Sequence, residues 1–292
     1  MTTLDLSETV YRALPGLSGS GVSKLLASPR VFHEPVEVTE AMRLGTAFHA
    51  RVLGSTMPVE VSDKWQTLGG AASKVWAEDC DARSVVPVLA AWGDRLDAME
   101  AALSRNPDAV ALLGGVGVNE QKFVSEWDGV PVKGMADRVL TPPDGVAIVD
   151  LKSSRDPSEP KSLYGFGYDR QVFMYERLAC EALGLEPARP PYIISVGSTA
   201  PHLCVVWQFE EWERAEAYAD IDRALVLYAT CVERDEWPDW NEQAVLRPRI
   251  PVWTERARET AHEAASLWLD PNYINSATET IAALQELIGD RP

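Results

Sequence analysis

A chain of 292 residues with 46% hydrophobic and 24% charged side chains can bury a sizeable core, as one large domain or two small ones. It contains no apolar run of about eighteen residues, the length a membrane helix needs, and its opening Met-Thr-Thr-Leu-Asp-Leu-Ser-Glu lacks a secretory-signal pattern, so a cytoplasmic protein that enters no membrane is expected. The net charge of −17 argues against nucleic-acid binding by a uniformly basic surface, and Cys80, Cys180, Cys204 and Cys231 are too scattered for a zinc or iron–sulfur cluster.

Residues 1–16 show little periodicity and read as a loose N-terminal arm. Ser20 is placed to cap a helix over Val22, Leu25 and Leu26 that stops before Pro29. Residues 40–54 carry Met42, Leu44, Ala47, Phe48, Val52 and Leu53 at helical spacing, with His49 beside that stripe. The polar stretch Ser62–Ser73 reads as a surface loop. A helix is expected from Val85 to Ser104, with Val88, Leu89, Trp92, Leu96, Met99 and Leu103 inward, and a short one up to Leu113 after Asn106-Pro107.

From Asn119 the period changes to that of strands. Glu120–Trp127, Val130–Leu140 and Val146–Lys152 predict an antiparallel meander, turning at Asp128-Gly129 and Pro142-Pro-Asp-Gly145. Asp150 and Lys152, two apart, share a strand face, and the second turn folds Asp137 back toward them. Two carboxylates and a lysine then converge on a site suited to a divalent cation and a phosphodiester: hard oxygens hold the cation, and the ammonium orients water or neutralises phosphate. Glu120 reads either as a further carboxylate or as a solvated strand residue.

A helix over Ser162–Leu183 puts Gln171 and Tyr175 on one face. Strands are expected over Pro191–Gly197 and Leu203–Phe209, then an acidic helix over Glu210–Glu233. Residues 207–242 hold eleven acidic side chains against three arginines, a net of −8, whereas Arg43, Arg51, Lys133, Arg138, Lys152, Arg155, Lys161 and Arg170 lie near the motifs in sequence. A basic cleft on an acidic body follows. Pro248 and Pro251 mark a linker, and residues 253–268 and 276–288 read as two tail helices, the second opened by the capping box Ser276-Ala-Thr-Glu279.

Asp137, Asp150-Leu-Lys152 and Gln171-x-x-x-Tyr175, with Gly45-Thr46-Ala-Phe-His49 upstream, resemble the PD-(D/E)xK nuclease superfamily in its RecE- and RecB-like exonuclease branch. The stretch Leu17-Ser-Gly-Ser-Gly-Val-Ser-Lys-Leu-Leu-Ala-Ser-Pro29 is similar to the opening of phage and prophage RecE-type proteins, and Glu236-Trp237-Pro238 to the close of their catalytic domain. The resemblance implies an α/β (α+β) fold with a restriction-endonuclease-like αβββαβ core, a mixed sheet flanked by helices, over residues 17–240. Residues 1–16 are then an arm and 241–292 a linker and helical tail.

For function the resemblance implies an Mg2+- or Mn2+-dependent exonuclease, degrading linear duplex DNA from 5′ to 3′ and leaving 3′ single strands for phage-type recombination. His49, Asp137 and Asp150 are expected at the metal, where His49 either ligates it or positions a water. Lys152 acts on water or phosphate, and Gln171 and Tyr175 orient substrate. Partners would be duplex DNA ends and a single-strand annealing protein; oligomeric state stays open. The rivals are a non-catalytic DNA-end or partner-binding module on the same fold, and an endonuclease using the same site.

Overall fold

The computed structural model describes residues 2–3, 8–54 and 57–239. In chain order the elements are strand β1 (Thr2–Thr3), helices α1 (Glu8–Ala13), α2 (Gly19–Ala27) and α3 (Glu40–Leu53), strand β2 (Val59–Ser62), helix α4 (Ala71–Ala82) and strand β3 (Val86–Leu89). Helices α5 (Gly93–Ser104) and α6 (Pro107–Gly114) follow, then strands β4 (Gly117–Trp127), β5 (Val130–Leu140) and β6 (Ala147–Ser154). Helices α7 (Lys161–Gly165) and α8 (Tyr168–Leu183), strands β7 (Tyr192–Gly197) and β8 (Cys204–Gln208), and the long helix α9 (Glu211–Arg234) complete the described chain. None of these helices is long and apolar enough to cross a membrane.

The main sheet runs β1-β4-β5-β6-β7-β8, and β2 pairs with β3 in a separate parallel ribbon. Strands β4, β5 and β6 are the expected antiparallel meander, while β7 joins β6 in parallel after the α8 crossover and β8 returns antiparallel. This is the mixed sheet of an α/β fold, with α3, the meander, α8 and β7 in the expected order. At the β4–β5 turn Asp128 and Gly129 have φ of 50° and 77°, the left-handed pair whose twist suits a two-residue hairpin.

Two apolar cores cover the two faces of the sheet. Ile148 and Ile193 enter one core with Val172, Phe173 and Leu178 of α8 and Ile221 and Leu225 of α9. Val149, Leu151, Ile194 and Val196 enter the other with Leu44 and Phe48 of α3 and Leu96 and Met99 of α5. Strand alternation thus assigns each β6 side chain to a face. Asp150 stands opposite Ile193 in the β6–β7 register, at a position where an apolar residue would complete the core beneath α8. Function, not packing, has to account for a carboxylate there.

Several local expectations give way. Val86–Leu89, read as the start of a helix, is a strand paired with β2, and the helix begins only at Gly93. Helix α4 lies across a region read in part as loop. Ser18, rather than Ser20, caps α2, its side chain accepting from the Gly21 amide at 3.2 Å. The helix expected over Ser162–Leu183 breaks at Gly167, whose φ is 68°. Within the stretch read as an arm, β1 pairs with β4, and Lys133 donates to the carbonyls of Arg12 and Leu14 at 3.0 and 2.6 Å. Near residue 240, Trp237 stacks on Phe32 at 5.3 Å and the Arg30 amide donates to the Pro238 carbonyl at 3.2 Å. The readings of 241–292 lie outside the described residues.

Candidate active site

Two close approaches bring the motif residues together. On α3, Gly45 faces β6: a Cβ there would lie 2.7 Å from the Ser153 hydroxyl, so a larger residue would require that hydroxyl to turn away. One turn later the same face presents His49, whose Nδ1 is 3.6 Å from Asp137 Oδ2. On β5, a Cβ at Gly134 would lie 2.8 Å from Leu178 Cδ1 and 2.9 Å from Tyr175 Cδ1, so α8 packs directly against the strand at Tyr175. The Gly-Thr-x-x-His and Gly-Met-Ala-Asp spacings have these contacts as their physical basis.

Register sets the carboxylates. Arg138 pairs with Val149, so one step further Asp137 and Asp150 stand opposite each other on β5 and β6. The same count on β4, where Asn119 pairs with Arg138 and Gln121 with Ala136, puts Glu120 opposite Asp137. Glu120 is half-buried with φ of 50°, a conformation that side chains other than glycine adopt at a cost, and its charge acts on Asp137. Three acids thus form a row across three strands. The alternation of Val118, Glu120 and Lys122 resembles a solvated edge, and only the cross-strand register identifies Glu120 as a neighbour of the site.

Asp150 is 1% exposed and forms a close ion pair with Lys152, whose Nζ is 2.6 Å from Oδ2. Burial pushes its pKa up to about 6 against the pull of Lys152, and Asp137 adds to the rise. Asp137 is also raised, by burial first, although it accepts the Leu151 amide at 2.8 Å. Burial opposes the charge on Lys152, but Asp150 and Asp137 outweigh it and hold the ammonium above its ordinary range. His49 is driven down to about 4, by burial and then by Lys152, and is a neutral imidazole at neutral pH.

Gln171 donates to the Tyr175 hydroxyl at 2.7 Å, so the expected shared face on α8 is present. Tyr175 is nearly buried, and burial and then Asp150 raise its pKa and keep it protonated. The Lys152 ammonium also lies 4.7 Å from the centre of the Tyr168 ring. A cleft of about 720 Å3 opens beside His49 and Lys152, lined further by Thr46, Ser153, Ser154, Arg155, Phe166 and Tyr168.

The expected basic cleft is largely absent, because most of its cations have other partners. Arg43 pairs with Asp81, Arg51 with Asp97 and Glu100, and Arg170 with Asp169 and Asp220. Arg138 donates to the Leu112 and Gly115 carbonyls and to Asn119 Oδ1. Of that group, Lys152 and Arg155 line the cleft.

Among the described residues no three His, Cys, Asp or Glu side chains are gathered into a ready-made metal cage. The donor set nevertheless fits a hard divalent cation that keeps part of its water shell: two opposed carboxylates, one of them buried and bonded by no backbone amide of the described residues, beside a neutral imidazole. Asp137 and Asp150 would hold such an ion, with His49 beside them.

Together, the meander with a carboxylate on each of two strands and an Asp-x-Lys on the second is the PD-(D/E)xK type of α/β core. The chain belongs to the family of PDDEXK-like domains of unknown function (DUF3799), whose model matches residues 24–246. No curated protein matches it. Among solved structures, a protein of Eubacterium rectale provisionally named an exonuclease aligns over 87% of this chain and 99% of its own, with a TM-score of 0.57 and 15% identity, a likeness of fold. A phage-related exonuclease of Haemophilus somnus 129PT aligns over 78% of this chain and 100% of its own at a TM-score of 0.33 and 12% identity, too low to carry an argument.

Proposed function

We infer that the chain is a metal-dependent DNA exonuclease with its catalytic domain in residues 17–240, acting from 5′ to 3′ on linear duplex and leaving 3′ single strands for phage-type recombination. The observation that carries this reading is the buried Asp150 carboxylate, opposite Asp137 and ion-paired with Lys152, whose side chain lines the adjoining cleft with His49. A binding module has no need of opposed carboxylates where phosphates must sit, and their mutual repulsion is a standing cost. The fold type and the exonuclease name of the Eubacterium rectale neighbour support the choice of nuclease; polarity and the role in recombination rest on the motif resemblance.

A divalent Mg2+ or Mn2+ ion, when bound, supplies charge neutralisation at the phosphodiester and polarises it for attack by water. Asp137 and Asp150 would hold that ion. Lys152 donates to a phosphate oxygen or acts on the attacking water. His49, uncharged, offers a ring nitrogen to the ion or to water beside it. Tyr175, held protonated and oriented by Gln171, is a hydrogen-bond donor toward the same charges. Duplex DNA ends are the substrate, a single-strand annealing protein the functional partner and the cytoplasm the site of action.

The test is incubation of the full chain with end-labelled linear duplex and with closed circular duplex, each with chelator, Mg2+ or Mn2+. Progressive loss from the 5′ ends of linear DNA, only with metal, is expected. Cutting of the closed circle would make the enzyme an endonuclease, and no cutting in either metal would refute the nuclease reading.

A further inference from the structure

Past Lys152 the cleft wall changes character. Phe166 ends α7 and is 67% exposed, Gly167 turns the chain in a left-handed conformation, and Tyr168 begins α8. The two rings lie 5.5 Å apart with their planes 35° from parallel, and both line the cleft. Lone exposed apolar side chains are ordinary on protein surfaces. Phe166 differs in its place, because its partner ring carries the Lys152 ammonium 4.7 Å from its centre. A phosphate held at Lys152 therefore has an aromatic surface within the reach of its own nucleotide.

We propose that Phe166 and Tyr168 form a stacking shelf for a base of the strand being cut, so that a single strand, separated from its complement, occupies the cleft next to the scissile phosphate. The proposal rests on the nuclease reading and adds the form of the substrate at the site. The rest of the lining agrees. Ser153 supplies a hydroxyl and Arg155 a cation, groups that bond phosphate and sugar without reading sequence, and every base offers a face to a ring. A strand bound this way is cut with little sequence preference. The Gly167 turn lies between the two rings, and a phosphate bound at Lys152 would lie beside the shelf.

The probe is a fluorescent single-stranded oligonucleotide, intact or with one abasic site moved stepwise from its end. Its binding is measured by anisotropy in Mg2+ on full-length Asp150→Asn protein, beside wild-type cleavage. Adding Phe166→Ala should weaken binding of the intact strand by about 5- to 150-fold, with an unchanged melting temperature. Phe166→Trp should restore binding, and Phe166→Leu, apolar but without a ring face, should not. At one position an abasic site should cost the Asp150→Asn protein a similar factor and cost the Phe166→Ala double variant nothing further. Equal binding with and without the Phe166 ring, or equal further losses from an abasic site at every position, would overturn the shelf while wild-type cleavage leaves the nuclease reading standing. If the Asp150→Asn protein binds no strand and wild type cuts none, both fall.

Discussion

Replacing Asp150 by Asn removes a charge and almost nothing else. In the metal-free protein the carboxylate sits at about 6 instead of its ordinary 3.8, which corresponds to about 3 kcal/mol in favour of the neutral form. The attraction of Lys152 is already contained in that figure. The variant should therefore be more stable than wild type at pH 7 with chelator, by about 3 kcal/mol, or about 6–12 °C in melting temperature. Because the folded pKa is the higher one, this gain is absent below pH 4, grows between 4 and 6, and is complete above. His49 acts in the opposite direction. With its pKa lowered from 6.5 to about 4, it adds stability as pH rises through the same window. In wild type the two contributions oppose each other, and in Asp150→Asn the His49 rise remains alone. Thermal melts from pH 4 to 7.5 in chelator, repeated in Mg2+, provide the test. Mg2+ should raise the wild-type melt and barely move the variant, whose cleavage of linear duplex should fall by orders of magnitude. A variant that melts well below wild type in chelator, or that still cuts at near wild-type rate, would refute the account of Asp150.

His49→Ala should weaken metal affinity by about 10- to 100-fold and depress cleavage in Mg2+, with Mn2+ recovering part of it; titration calorimetry and paired rate assays decide, and undiminished affinity assigns His49 to packing. Gly134→Val places carbon against Leu178 and Tyr175, so it should cost about 1–3 kcal/mol in urea unfolding and lower activity by shifting Tyr175. All proposed site residues precede residue 240, so a chain cut after residue 248 should still bind metal; loss of Mg2+ stabilisation in its melting curve would place part of the site in the tail. Lys152→Met leaves Asp150 without its nearest cation, so the metal-free variant should melt lower than wild type and show a higher apparent Asp150 pKa by carboxylate NMR.

Much of the site was legible because it breaks a pattern. In Ala147-Ile-Val-Asp-Leu-Lys152 two charges occupy one face of an otherwise apolar strand, and the turn at 142–145 returns Asp137 to that face. The row completed by Glu120 was not legible, because an acid on a polar alternating strand is ordinary until the facing residue is known. The cations were misjudged for a similar reason. Nearness in sequence does not show that Arg43 reaches Asp81 on α4 or that Arg138 turns back to the Leu112 carbonyl. Strand β3 was hidden because Val85-Val-Pro-Val-Leu89 runs without a break into a helical pattern, and its partner β2 lies beyond α4 in the chain. The break at Gly167 was missed because one glycine in an amphipathic run is compatible with a continuous helix.

The Leu151 amide, donated to Asp137 across the β5–β6 hairpin with a sequence separation of 14, has a kinetic consequence. That hairpin closes a shorter loop than the contacts that His49 and Tyr175 make with it. With no cation present, carboxylate repulsion favours opening of this hairpin over its neighbours in the sheet, and each opening releases the Leu151 proton to solvent. Hydrogen exchange at this one amide therefore measures how often the site comes apart, and its slowing on titration with a divalent ion measures how much of the hairpin's cohesion the ion supplies.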